Sequence, residues 1–132
     1  MKALIFAVCL CIASLSFGQN LVPNPSFENN TACPSSYGQT SLLNNWTVPP
    51  SHTGSSDYFH GCGSGNGDVP TNYFGTQAAH SGPGYAGGFT GYTTAGFLDY
   101  RDYLQVQLTS PLVAGETYQV QAYLSLPDRL SV

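Results

Sequence analysis

Glycine or proline interrupts nearly every window of this chain long enough to wind a helix, and no stretch beyond the first 18 residues sustains apolar positions at i, i+3, i+4 and i+7. Helix is therefore a minor component, and the fold has to come from strands and turns. The clearest strand signal is Leu104-Gln105-Val106-Gln107-Leu108-Thr109, where apolar and polar residues alternate strictly. The run from Tyr118 to Leu126 (YQVQAYLSL) repeats the pattern, so each run is expected to form a strand with one buried face. Between them lies SPLVAGE, with proline near its start and glycine near its end. The two strands either pair directly or lie in opposite sheets. Upstream, residues 21–28 read as a short strand broken by prolines, which suits a sheet edge. Residues 42–48 and 85–89 are further short candidates. Residues 49–84 read as long loops with one short strand near Tyr73-Phe74. Short strands between long loops predict an all-β sandwich, with the jelly roll as its form. A jelly roll uses about eight strands, and five or six are legible here. The run at 118–126 is also followed by little chain, so the sandwich is expected to be incomplete at its C-terminus, as in a fragment of a longer protein.

The N-terminus carries a different signal. Met1-Lys2 precedes an apolar run from Ala3 to Ala13, and small residues stand at Ser16 and Gly18. That is the layout of a secretory signal peptide over residues 1–18, cleaved after Gly18. A bilayer span takes roughly 20 apolar residues, and this run is shorter. No membrane span is expected once it is removed. Removing 18 of 132 residues leaves 114, enough for one domain, 19–132. Beyond the leader only Arg101 and Arg129 oppose seven acidic residues, a field that disfavours nucleic acid and anionic membranes. Export also bears on the cysteines. Cys9 and Cys11 leave with the leader, and the remaining pair, Cys33 and Cys62, is expected to be a disulfide. A bridge closing a loop of about 30 residues adds roughly 3 kcal/mol by chain-entropy arguments.

Side-chain chemistry points to binding and away from catalysis. Alternation places Tyr103, Gln105 and Gln107 opposite Leu104, Val106 and Leu108, and Gln119, Gln121 and Tyr123 opposite Tyr118, Val120, Ala122 and Leu124. A sheet face of amides and phenols suits sugars, because amides bond pairs of hydroxyls and aromatic rings stack on pyranose C–H surfaces. Tyr103, Gln105, Gln119, Gln121 and Tyr123 are therefore the candidate ligand contacts; an ordinary solvated face is the plainer alternative. Trp46, Tyr58, Phe59 and Tyr85 are further stacking candidates, although a tryptophan near Leu42 and Leu43 fits a core better. His52, His60 and His80 show no metal-ligand spacing. The glycine-rich segment at 61–67 leads into Asp68-Val69-Pro70, so it is no phosphate loop. No nucleophile elbow and no acid pair for glycoside cleavage appear, so no enzyme is expected.

Several stretches together resemble a known group. Asn20 to Glu28, followed by Cys33-Pro34 and Trp46, then Ser56 to Cys62, Val69 to Asn72, Gly75-Thr76-Gln77 and Gly84 to Gly87, occur in that order. Tyr100 to Gln105 and Pro111 to Tyr118 complete the series. The series resembles the jelly-roll modules, similar to galactose-binding-like and carbohydrate-binding modules, at the N-terminus of exported proteins of gliding bacteria. The resemblance implies a non-catalytic module of a larger envelope or secreted protein. In that group the module precedes an outer-membrane-protein-A-like or C-terminal sorting domain, and its partner would be a glycan or another cell-envelope polymer. It also implies a structural calcium ion with Glu28 among its ligands. The alternative is a structural or protein-interaction domain of the envelope with the same fold and no sugar site.

Overall fold

The computed structural model describes residues 18–50, 54–94 and 97–128. The expected signal peptide, apart from Gly18, lies outside the described residues. Among those described, strand outweighs helix and the only helical turns are 3-10 turns at Thr40–Leu42 and Gly65–Gly67, so the chain is a small all-β fold. No helix in them is long and apolar enough to cross a membrane.

Among the described residues, eight short strands form four antiparallel pairs. β1 (Trp46–Thr47) pairs β8 (Gln105–Val106), and β2 (Asp57–His60) pairs β5 (Gly84–Gly87). β3 (Thr71–Asn72) pairs β4 (Gly75–Thr76), and β6 (Tyr92–Thr94) pairs β7 (Phe97–Tyr100) with a shift of register between Tyr92 and Thr94. The β2–β5 pair is the centre. Its register sets Tyr58 opposite Ala86 and Phe59 opposite Tyr85, and Tyr58 and Phe59 are fully buried. Glycines in β5 make this packing feasible. A Cβ on Gly84 would stand 2.6 Å from the Phe27 carbonyl oxygen, and one on Gly87 would stand 3.3 Å from the Phe59 ring. From Phe59 a line of rings runs outward: Phe59 meets Phe74 edge-on at 5.8 Å, Phe74 meets Phe89 at 5.8 Å, and Phe89 meets Tyr100 at 6.4 Å. Each such tilted or edge-to-face contact adds about 0.5–1.5 kcal/mol beyond burial. Among the described residues Leu43 is the one buried large aliphatic side chain beside Tyr58 and Phe59, so the aromatic line does much of the packing there.

The Cys33–Cys62 disulfide is present, with its Cα atoms 5.5 Å apart, and it ties the N-terminal loop to the end of β2. Beside it the Ser64 amide donates to the Pro34 carbonyl at 2.9 Å. Gly63 and Gly67 bring their backbones so close to Pro34 that a Cβ on either would lie 2.8 Å from it.

Several sequence expectations are corrected. Residues 21–28 turn and bend in place of forming a strand: Asn24 and Phe27 adopt φ of 49° and 62°. Phe27 is held there by the Trp46 ring at 4.9 Å and by the Tyr58 hydroxyl, which donates to its carbonyl at 3.0 Å. Of residues 42–48 only Trp46–Thr47 pairs as a strand, and Leu43 makes a single bridge to Asn30. The stretch read as loops, 49–84, contains β2, three of whose four residues are buried. Tyr73-Phe74 is the turn between β3 and β4. Residues 104–109 keep the expected alternation, with Leu104, Val106 and Leu108 half-buried and Tyr103, Gln105 and Gln107 exposed, although only Gln105–Val106 forms a ladder. Residues 118–126 form no ladder and are exposed throughout. Alternation marks a run suited to a half-buried strand, but ladder bonds need a neighbour, and the described residues supply none.

Candidate functional site

Apart from Tyr103 on the β8 side, the exposed aromatic residues among those described fall into two groups. One is Tyr37 and Tyr73, 52% and 49% exposed, whose ring centroids lie 5.1 Å apart at 44°. The other is the run from Leu112 to Leu126, including Tyr118 and Tyr123. Only the first group sits on a built support.

Tyr37 is carried by the loop 33–39, which is pinned at both ends. Cys33 is bridged, and the Ser35 and Ser36 amides both donate to Gln39 Oε1, at 2.7 and 2.9 Å. The Gly38 amide donates to Asp57 Oδ1 at 2.6 Å. Gly38 has φ of 72°, the left-handed conformation that glycine adopts freely, so the loop turns sharply just after Tyr37. Tyr73 is carried by the β3–β4 turn. There Asn72 Oδ1 accepts from the Phe74 amide at 3.0 Å, and Asn72 Nδ2 donates to the Tyr85 hydroxyl at 2.5 Å and to the Asp68 carbonyl at 3.2 Å. The ring of Tyr73 then rests edge-on against Phe74 at 5.2 Å, joining the pair to the buried line of rings. Two threonine hydroxyls, on Thr71 and Thr76, lie 3.2 Å apart on the same hairpin. The arrangement offers two tilted, half-exposed rings held from beneath, with hydroxyls on the same element.

Asp57 is the titratable group beneath this site. It is 3% exposed, and its carboxyl is pushed from the usual 3.8 up to about 6, chiefly by burial. The Gly38 hydrogen bond opposes the shift, and the charge of Asp102 adds to it. Asp102 Oδ2 accepts from the Phe89 amide at 2.8 Å, and its Oδ1 is buried without a hydrogen-bond partner among the described residues. Such a group can hold a proton near neutrality, but Asp57 is closed to any ligand, so it positions the loop. Burial also raises the phenols of Tyr58 and Tyr85, against hydrogen bonds from Asn30 and Asn72 respectively.

The residues singled out from sequence fall differently. Tyr103 and Gln105 are exposed on the β8 side, where Gln105 Nε2 reaches Thr47 Oγ1 at 3.3 Å. Gln119, Gln121 and Tyr123 are exposed on the C-terminal run, with Gln121 Nε2 donating to the Tyr123 hydroxyl at 3.1 Å. The two runs share no ladder, so the five residues do not form one sheet face. Tyr58 and Phe59 are core, Tyr85 is half-buried against Phe59, and the Trp46 indole donates to the Asn24 carbonyl at 2.9 Å. None of these four is a platform. Glu28 stands with Oε2 3.8 Å from His60 Nε2 and Oε1 buried without a partner among the described residues. It contributes one carboxylate, whereas calcium takes about six to eight oxygens; no group of three or more His, Cys, Asp or Glu side chains gathers among the described residues. Alternation does not single out Tyr37 and Tyr73, yet both are aromatic residues in glycine-containing turns, where a ring has little chance of burial. Compared with family models, curated proteins and solved structures, the chain has no match.

Proposed function

We propose that this chain is an exported, non-catalytic module of jelly-roll type that binds glycans or another cell-surface polymer as part of a larger envelope or secreted protein, with Tyr37 and Tyr73 as its stacking platform. The observation that carries the reading is the half-exposed pair itself, 5.1 Å apart and fixed by Asp57, Gln39 and Asn72. Two exposed rings on pinned loops have already lost the freedom that stacking on a sugar would otherwise take away. The disulfide supports an oxidising compartment. Loop rims at the end of a β-sandwich are also where binding residues concentrate.

A glycan array, followed by affinity electrophoresis with each polymer that scores, tests this. Tyr37→Ala and Tyr73→Ala are each expected to weaken binding about tenfold, the share of one ring stacked on a pyranose, taken as ~1.4 kcal/mol. Thermal midpoints should hold, since both side chains are half in solvent. Binding that survives both substitutions, or no binding to any glycan, overturns the reading. In the second case the module is a structural or protein-interaction domain of the envelope, an alternative favoured by the uncovered apolar side chains between Leu112 and Leu126.

A further inference from the structure

The rings of Tyr37 and Tyr73 touch, with centroids 5.1 Å apart, yet they meet at 44° and so present no common plane. The angle is held from below. Tyr73 stands edge-on, at 90°, against Phe74, which itself meets Phe59 and Phe89, so flattening the pair would pull Tyr73 off the buried line of rings. The Tyr37 backbone is pinned as well, because Gln39 Oε1 holds the Ser35 and Ser36 amides and Asp57 holds the Gly38 amide. Neither element that carries the rings, 33–39 or 71–76, contains a charged residue. What these elements offer beside the rings is hydroxyl: Ser35, Thr71 and Thr76 are exposed, and the two threonine hydroxyls lie 3.2 Å apart.

We infer that the Tyr37–Tyr73 pair selects uncharged glycans whose consecutive sugar rings are turned against each other, glucose-type units in a bent or helical chain, and discriminates against flat ribbons. The inference rests on the reading of the pair as a sugar platform and specifies what that platform takes. A sugar stacks by laying a C–H face on an aromatic ring, and units with equatorial hydroxyls have the most open face. Adjacent units of a flat ribbon keep their faces parallel, so such a chain covers one ring and lifts off the other. A chain that turns between units lays one unit on each ring, and because the two rings touch, those units are neighbours. Uronates and sulfated sugars are disfavoured for a separate reason. Anionic ligands are held by cations, and these would meet none on either element, in a chain with three basic and seven acidic residues. Asp57 lies beneath the loop that carries Tyr37, and the carbonyl of Asp68 accepts from Asn72 in the turn that carries Tyr73.

Three neutral glucose hexasaccharides that differ only in linkage separate shape from composition: laminarihexaose and maltohexaose, whose rings turn from unit to unit, and cellohexaose, a flat ribbon. Calorimetric titration of the full chain is expected to show both turned oligomers binding about tenfold more tightly than cellohexaose, the share of the second stack. In Tyr37→Ala, and separately in Tyr73→Ala, one ring is left, so the turned oligomers should fall to the affinity of cellohexaose and the gap should close. A galacturonate hexamer should bind more weakly than any of the three. Equal affinity for the three glucose hexamers, a preference for cellohexaose or galacturonate, or a gap that survives both substitutions overturns the inference. So does failure to bind any glucose hexamer. The reading of the pair as a platform outlives those results while the two substitutions still weaken binding to some glycan on the array. It falls together with the inference only if no glycan binds or neither substitution matters.

Discussion

Asn24 replaces, with a single side chain, the ladder that residues 21–28 do not form. Its Nδ2 donates to the Asn29 carbonyl at 2.9 Å and the Asn44 carbonyl at 3.0 Å, and its Oδ1 accepts from the Asn29 amide at 3.0 Å. Its own carbonyl receives the Trp46 indole N–H at 2.9 Å. The left-handed backbone at this position suits asparagine, whose short amide tolerates positive φ and bonds locally. Asn24→Ala removes three hydrogen bonds, leaves two carbonyls and an amide short of partners and strains φ, so a loss of about 2–4 kcal/mol is expected. Asn24→Gly relieves the backbone but restores no bond, so it should fall between the two. Asn24→Asp keeps the acceptor and turns a carboxylate oxygen toward two carbonyls; it should do at least as badly as alanine. Urea midpoints of the three variants check the order, and equal midpoints for Asn24→Ala and wild type would show that the clamp contributes nothing. The sequence shows an asparagine among prolines here, which reads equally as an edge strand. What decides is the φ of Phe27, set by Trp46 and Tyr58 from far along the chain.

At the scale of elements, legibility tracks how local the cause is. The alternation at 104–109 is a property of those residues alone, and it predicts which side chains are half-buried. The strand expected at 85–89 falls at Gly84–Gly87 because the small residues that allow close approach are visible in the sequence. β2 is illegible for the opposite reason. Asp57-Tyr58-Phe59-His60 has no alternation because three of its four residues are buried, and its acid is tolerated only through Gly38, a loop residue 19 positions away. The candidate platform is hidden in the same way, since nothing near Tyr37 names Tyr73. The disulfide was foreseeable from the cysteine count, whereas its mechanical part was not: it holds the loop that carries Tyr37 against β2. Cys33→Ala/Cys62→Ala should cost about 3 kcal/mol from loop entropy. It should also weaken glycan binding, by loosening Tyr37, more than it changes the β2–β5 pair. Guanidinium midpoints and affinity electrophoresis on the same variant separate the two. An unchanged affinity with a lowered midpoint would place the bridge outside the support of the platform.

For the whole molecule, the balance of three basic against seven acidic residues means that pH acts mainly through carboxylates, and buried Asp57 is a carboxylate whose behaviour is set by the fold. Its carboxyl is raised from 3.8 to about 6 by burial, with Asp102 adding repulsion, so the folded chain holds this proton where the unfolded chain has already released it. When the native state binds more protons than the unfolded state, unfolding free energy falls as pH rises. The contribution is fully present below about pH 4 and is lost as pH climbs through about 6, amounting to roughly 3 kcal/mol at most for a shift of some two pK units. Because Asp57 also accepts the Gly38 amide beside Tyr37, the same titration acts on the loop that carries the platform. Asp57→Asn retains an oxygen for Gly38 and cannot ionise. Relative to wild type it should gain stability steadily between about pH 4 and 7, the sign opposite to that of a salt-bridged aspartate. Urea midpoints of both chains at half-unit steps give the difference curve directly. A flat difference would mean that water or a local rearrangement relieves the buried charge, and a falling one that the ionised carboxylate is stabilised by the fold.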